Sequence, residues 1–144
     1  MTQPAAPRMF HLSFSVNDLD TSREFYGGVL HCQEGRSAPT WVDFDFFGHQ
    51  LSLHLGEVAS ASSGKVDKLQ VPMPHFGVVL DMEAWSVLGA HLREAGVPFT
   101  IEPQIRFEGA PEEQGTLFIA DPSGNALEFK GARLPVTLLA PAAQ

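Results

Sequence analysis

Apolar and polar residues alternate with a period of two across residues 10–16. Phe10, Leu12, Phe14 and Val16 fall on one side, and His11, Ser13 and Ser15 on the other, the pattern of a half-buried strand. The period then changes. In NDLDTSREFYGGVL, Phe25, Val29 and Leu30 form a helical stripe, and Thr21 and Glu24 have the spacing of a capping box. WVDFDFF (41–47) and QLSLHLG (50–56) read as two further strands, joined across Gly48-His49 as a hairpin.

The order recurs in the second half. HFGVVLD (75–81) predicts a strand. EAWSVLGAHLREAG predicts a helix with Trp85, Leu88, Leu92 and Ala95 on one face and Gly96 as its C-terminal stop. PFTIEP, QIRFEG and TLFIAD read as strands, DPSG (121–124) as a turn and NALEFKG (125–131) as a closing strand. Strand, helix and three strands, twice over, is an internal repeat. Aligning FHLSFSVNDLD with PHFGVVLDMEA matches His11 to His75. Aligning FGHQLSLHLG with SGNALEFKG matches Leu51 to Leu127, Leu53 to Phe129 and Ser52 to Glu128.

The expectation is therefore an α+β chain of two tandem βαβββ modules, about 9–56 and 74–131. They would form a curved mixed sheet around a cup-shaped site, with the helices outside. Residues 57–73 carry Ser, Gly and Lys without periodicity and read as a linker. The Pro- and Ala-rich ends, 1–8 and 132–144, read as loosely ordered.

The same alternation sorts the chemistry. If Leu127 and Phe129 pack against helices, Glu128 faces the other way. By the same logic Ser52, His54, His75 and His11 share that polar face. A carboxylate and imidazoles gathered in a partly desolvated cup need a cation or hydrogen bonds to satisfy them. Two His and one carboxylate, here His11, His75 and Glu128, match the donor set of Fe, Zn, Ni or Mn sites with open positions for substrate. Each residue alone has a plainer reading: a strand histidine held by hydrogen bonds, or a solvated strand glutamate. The matched positions of the two histidines in the repeat favour the metal reading.

Composition narrows the partners. The formal charge is −8 and there is no basic stripe, which argues against nucleic acid and anionic membranes and for a small-molecule substrate. Phe is frequent, at 11 residues, which suits an apolar core and an aromatic-lined cavity. Cys32 is the single cysteine, so no internal disulfide forms and a reducing cytoplasm is the simplest setting. MTQPAAPR shows no signal peptide, and no apolar run approaches the roughly 20 residues of a membrane span. His31, His49 and His91 read as loop or helix-surface residues, and Cys32 has no companion base for nucleophilic work.

HLSFSVNDLDTSREFY, PHFGVVLD and DPSGNALEFK resemble the signature segments of the vicinal-oxygen-chelate superfamily, which includes glyoxalases, bleomycin-resistance proteins and extradiol dioxygenases. The resemblance spans about residues 9–131. It implies metal ligation by His11, His75 and Glu128, and a homodimer with sites at or near its interface. Lactoylglutathione lyases of this superfamily carry a fourth ligand, usually a carboxylate, where this chain has Ser52. His54, on the same face, reads as a fourth ligand if the strand bulges, as a general acid/base, or as a structural residue, and the acid/base role is the favoured one. Arg36 and Arg106 are candidates to bind a carboxylate or phosphonate, and with Ser52 and Trp41 they make up the expected substrate-binding set. The implied activity is that of a divalent-metal-dependent lyase, isomerase or ring-cleaving dioxygenase acting on vicinal oxygens. The alternative is a non-catalytic, ligand-sequestering protein of the bleomycin-resistance type.

Overall fold

The structure, a computed structural model, describes residues 8–59, 62–66, 69–133 and 138. Most of the expected loose ends, 1–7, 134–137 and 139–144, lie outside the described residues. The chain forms two compact units, 1–59 and 60–144.

Unit 1 runs β1 (His11–Val16), α1 (Leu19–Arg23), β2 (Gln33–Ala38), β3 (Trp41–Phe46) and β4 (His49–Leu55). The sheet order is β1-β4-β3-β2, with β1 and β4 parallel and the other pairs antiparallel. The helix begins earlier than the Thr21/Glu24 spacing suggests. Asp18 is its N-cap, and its carboxylate accepts from the Thr21 backbone N–H at 2.8 Å. That bond, with the Thr21 hydroxyl, holds the Asp18 carboxyl below its ordinary value. Glu24 lies beyond α1, where the chain widens into a π-helical segment over Glu24–Val29 and Leu30 N–H reaches back to the Phe25 carbonyl.

The apolar face of this sheet is covered by the helical segment. Leu51, Leu53, Val42, Phe44 and Val16 are buried against Phe25, Tyr26 and Leu30. Tyr26 sits at the centre, with ring contacts to Phe25 at 4.9 Å and Phe44 at 5.9 Å. The hairpin pairs Phe46 with His49, so its two turn residues are Phe47 and Gly48, both at positive φ (52° and 88°). That is the backbone of a twist-matched two-residue turn, and Asp45 locks it by accepting from Gly48 N–H at 2.8 Å. β2 supplies the third strand of the module, which the alternation did not reveal.

Unit 2 opens with a two-stranded hairpin, β5 (Ser62–Val66) and β6 (Leu69–Met73), within the stretch expected to be a linker. It continues β7 (His75–Asp81), α2 (Met82–Glu94), β8 (Ile101–Arg106), β9 (Gln114–Ala120) and β10 (Ala126–Ala132). The order β7-β10-β9-β8, with β7 and β10 parallel, repeats that of unit 1. PFTIEP and QIRFEG contribute to one irregular strand, β8, rather than two. Asp81 caps α2 by accepting from Ala84 N–H at 2.7 Å. Gly96, at φ 76°, follows the helix end, as a left-handed stop requires.

Trp85 pins α2 to the sheet. Its indole N–H donates to the Phe129 carbonyl at 3.0 Å, and its ring lies where a Cβ at Gly115 or Gly131 would come within 2.8 Å. Glycine at these two positions lets the helix approach. Each unit is thus a βαβββ module with its helix on the apolar face of a mixed four-stranded sheet, and the chain is α+β.

Candidate functional site

Helix packing on one face leaves the other face of each sheet for chemistry. In unit 2, β10 is central, flanked by β7 and β9. Its apolar side chains Leu127 and Phe129 are buried, which turns Glu128 the opposite way. The strand is held in register by the turn before it. The buried Asp121 carboxylate accepts from the backbone N–H groups of Ser123 and Asn125, both at 2.9 Å, and from the Asn125 amide at 3.0 Å.

Glu128 touches both neighbouring strands. Its Oε2 accepts from the Thr116 hydroxyl on β9 at 2.5 Å, and its Oε1 lies 3.2 Å from His75 Nε2 on β7. The side chains of His75 and Glu128 are 22% and 11% exposed. Phe118, fully buried, walls the pair, its ring 4.9 Å from the imidazole and edge-on to it.

The far nitrogen of His75 decides what this pair can do. Nδ1 lies 2.7 Å from the Pro72 carbonyl, which can only accept, so Nδ1 carries hydrogen. A neutral ring then presents the Nε2 lone pair to a carboxylate oxygen, and two acceptors face each other at 3.2 Å. The arrangement is satisfied by an imidazolium or by a cation held between them. An imidazole whose outer N–H is fixed by a backbone carbonyl, beside a carboxylate held by a hydroxyl, is the way metal ligands are oriented. The donor set therefore fits a divalent metal. Among the described residues there is no group of three or more His, Cys, Asp or Glu placed to hold one.

Unit 1 has the same register. His11 pairs with Gln50 as His75 pairs with Ala126, and Ser13 with Ser52 as Gly77 with Glu128. His11 and Ser52 thus hold the positions of His75 and Glu128. Ser52 does not stand without a carboxylate. Asp43 lies directly across from it on β3, and the Ser52 hydroxyl donates to Asp43 Oδ1 at 2.6 Å. Oδ2 accepts from the Gln50 amide at 3.3 Å and from Arg36 Nη2 at 3.5 Å. Burial pushes the Asp43 carboxyl up, but the bonds from Ser52 and Gln50 and the Arg36 charge outweigh it, so its pKa is lowered.

Arg36 reaches Asp43 from β2, where the β2–β3 pairing slips between Glu34 and Ser37. Its guanidinium also lies over the Trp41 ring, 5.8 Å from the centroid. His54, across from Trp41, stacks on the same indole at 6.4 Å and 29°. Of the expected substrate residues, Arg36, Trp41 and Ser52 therefore meet around Asp43, with His54 alongside. Arg106 is in unit 2 on β8, its guanidinium 5.1 Å from the Phe107 ring.

Asp43 was not legible in the sequence: a turn at Gly48-His49 sets residue 43 opposite His54, and only the observed Phe47-Gly48 turn sets it opposite Ser52. His49 is structural, accepting from Phe10 N–H at 3.0 Å. Burial, followed by the Asp45 charge, pushes the Cys32 thiol up to about 11, which fits an unreactive thiol.

Comparison with known proteins agrees with the repeat. The family model described as the Glyoxalase/Bleomycin resistance protein/Dioxygenase superfamily matches residues 8–129. Among solved structures, a glyoxalase/bleomycin resistance protein/dioxygenase from Alicyclobacillus acidocaldarius is 36% identical. Its TM-score is 0.74, and the match covers 91% of this chain and 94% of that one. A lactoylglutathione lyase from Agrobacterium tumefaciens (19% identity, TM-score 0.64, 90% and 96% covered) and the fosfomycin resistance protein FosX from Mesorhizobium loti (15%, 0.62, 90% and 95%) share the fold. With the family model spanning both βαβββ units, the chain belongs to the glyoxalase/bleomycin resistance protein/dioxygenase superfamily.

Proposed function

We propose that this protein is a divalent-metal-dependent lyase, isomerase or ring-cleaving dioxygenase acting on a small molecule that chelates through vicinal oxygens. The observation that carries the reading is the His75–Glu128 pair, with Nε2 turned to the carboxylate because Nδ1 is spent on the Pro72 carbonyl. Members of the superfamily commonly use divalent metals. In this reading His75 and Glu128 are two ligands and His11 is the third, with Fe, Zn, Ni or Mn as the ion. A bound ion of this kind supplies Lewis acidity to charge developing on the substrate oxygens.

The chain's own residues do the rest. Thr116 holds Glu128 by one oxygen, leaving the other toward His75. Phe118 keeps one side of the pair dry. Ser52, Arg36, Trp41 and Arg106 bind substrate, and His54, exposed beside Trp41, exchanges protons with it. The proposal includes a homodimer in a reducing cytoplasm, in keeping with one cysteine held as a buried thiol.

The test is turnover by the protein as purified, with a glutathione hemithioacetal and a catechol as representative chelating substrates, against His75→Ala. Turnover of either, reduced at least about 100-fold in the variant, supports the reading. The sequestering alternative instead gives tight ligand binding that His75→Ala leaves unchanged, and that result would overturn it.

A further inference from the structure

Arg36 is placed by three separate features of unit 1. The irregular pairing between Glu34 and Ser37 sets it in a bulge of the edge strand β2, a device that re-aims a side chain. The Trp41 ring lies under its guanidinium at 5.8 Å. Asp43 holds one of its nitrogens at 3.5 Å. Asp43 is itself fixed, its side chain only 10% exposed and its two oxygens engaged by Ser52 and Gln50 as well.

Arg36 is the opposite, with 80% of its side chain exposed. An exposed ion pair with one long contact contributes little to stability, so folding alone gives weak reason for this arrangement. Its chemistry suits recognition. The guanidinium is a planar fork with five N–H donors. The described bonds of this fork are to Asp43 alone, which leaves a face and an edge to pair with a carboxylate in bidentate fashion. The indole beneath, flanked on the β4 side by the His54 ring at 6.4 Å, sets an aromatic edge beside the fork for a planar group attached to that carboxylate.

Resting on the reading of this protein as an enzyme of small chelating molecules, we infer that Arg36 and Trp41, positioned by Asp43, form a receptor for the carboxylate of a planar ligand. Asp43 acts through Arg36 and is a positioning residue. The substrate class this selects is a small, flat chelating molecule that also carries a carboxylate.

Benzoate and its neutral analogue benzamide, titrated against full-length protein as purified, test this. The readout is the Trp41 indole N–H in heteronuclear NMR spectra, assigned with Trp41→Phe. Benzoate is expected to shift that signal saturably, and benzamide to bind at least about 10-fold more weakly. Arg36→Gln should weaken benzoate about 10-fold or more, with Arg36→Lys in between because it keeps charge but not the fork. Asp43→Asn should weaken benzoate while leaving the spectrum dispersed. If Asp43→Asn does not fold, the exposed Arg36 variants decide the question. Equal binding of benzoate and benzamide, or benzoate binding that survives Arg36→Gln, overturns the inference. Metal content measured on the same samples separates the two readings. Benzoate binding through Arg36 in protein without metal sinks the proposed function and leaves the receptor standing.

Discussion

In unit 2 the carboxylate sits on the central strand and the hydroxyl on its neighbour, Glu128 with Thr116. In unit 1 the hydroxyl is on the central strand and the acid on its neighbour: Asp43, opposite Ser52 where Phe118 stands opposite Glu128, accepts from the Ser52 hydroxyl. Both sheets share one strand order and one register, so the exchange changes what the carboxylate can reach. From β10, Glu128 reaches β7 and meets the imidazole of His75. From β3, Asp43 reaches β2 and meets the guanidinium of Arg36. One unit turns its carboxylate to an imidazole nitrogen, the place proposed for a cation. The other turns it to a fixed cation, where an anion is recognised. The repeat preserves the face, and a one-strand displacement of one acid separates the two chemistries.

The two units differ most sharply at the strand pairing itself. Gly77 pairs with Glu128, and a Cβ there would fall 1.5 Å from the Glu128 carbonyl oxygen. Gly77→Ala must force β7 from β10, so a loss on the order of 3 kcal/mol is expected in urea unfolding. Unit 1 carries Ser13 at the equivalent position, and Ser13→Ala should cost less than about 1 kcal/mol. Equal effects would show that the two pairings are not different in kind.

Thr116→Val removes the hydroxyl from Glu128 and keeps the shape. Metal affinity, measured by competition with a chromogenic chelator, should fall about 10-fold, the usual effect of losing a partner behind a ligand. Ser52→Ala, its counterpart, should leave that affinity within about 2-fold, because the Ser52 hydroxyl bonds Asp43 rather than a proposed ligand.

The smallest effect concerns pH. The Asp43 carboxyl is lowered below 3.8 in the folded protein. It therefore contributes stability that is present above its unfolded value and lost as pH falls through its folded value. Asp43→Asn should flatten the decline of stability below about pH 4, as followed by urea midpoints between pH 5 and pH 2. An acid limb of unchanged slope would count against the charged Asp43 network.

Much of this was legible in the alternation. The equivalence of His11 with His75 and of Ser52 with Glu128, read from two short alignments, is the register the sheets adopt. Period-two patterns fix which way a strand residue faces, and only one face of each sheet could take the helix. What escaped notice had weak periodicity or a competing signal. β2, QEGRSA, is an exposed edge strand, so no burial imposes alternation on it. The β5–β6 hairpin, SSGKV and LQVPM, has no periodic apolar run to mark it. Asp18 caps α1 in place of the Thr21/Glu24 box because the helix starts one turn earlier, before the chain widens at Glu24. Asp43 was hidden by its setting. In WVDFDFF the apolar residues mark a strand, and the acid between them reads as its solvent side until the observed turn sets the register.

A cation between His75 and Glu128 is what the proposed function requires. The most direct measurement is elemental analysis of the protein purified without chelator, beside Glu128→Gln and Asp43→Asn prepared in parallel. About one transition-metal ion per chain is expected in the wild type and in Asp43→Asn, and near none in Glu128→Gln. Equal metal content in wild type and Glu128→Gln, or loss in Asp43→Asn alone, would contradict the account.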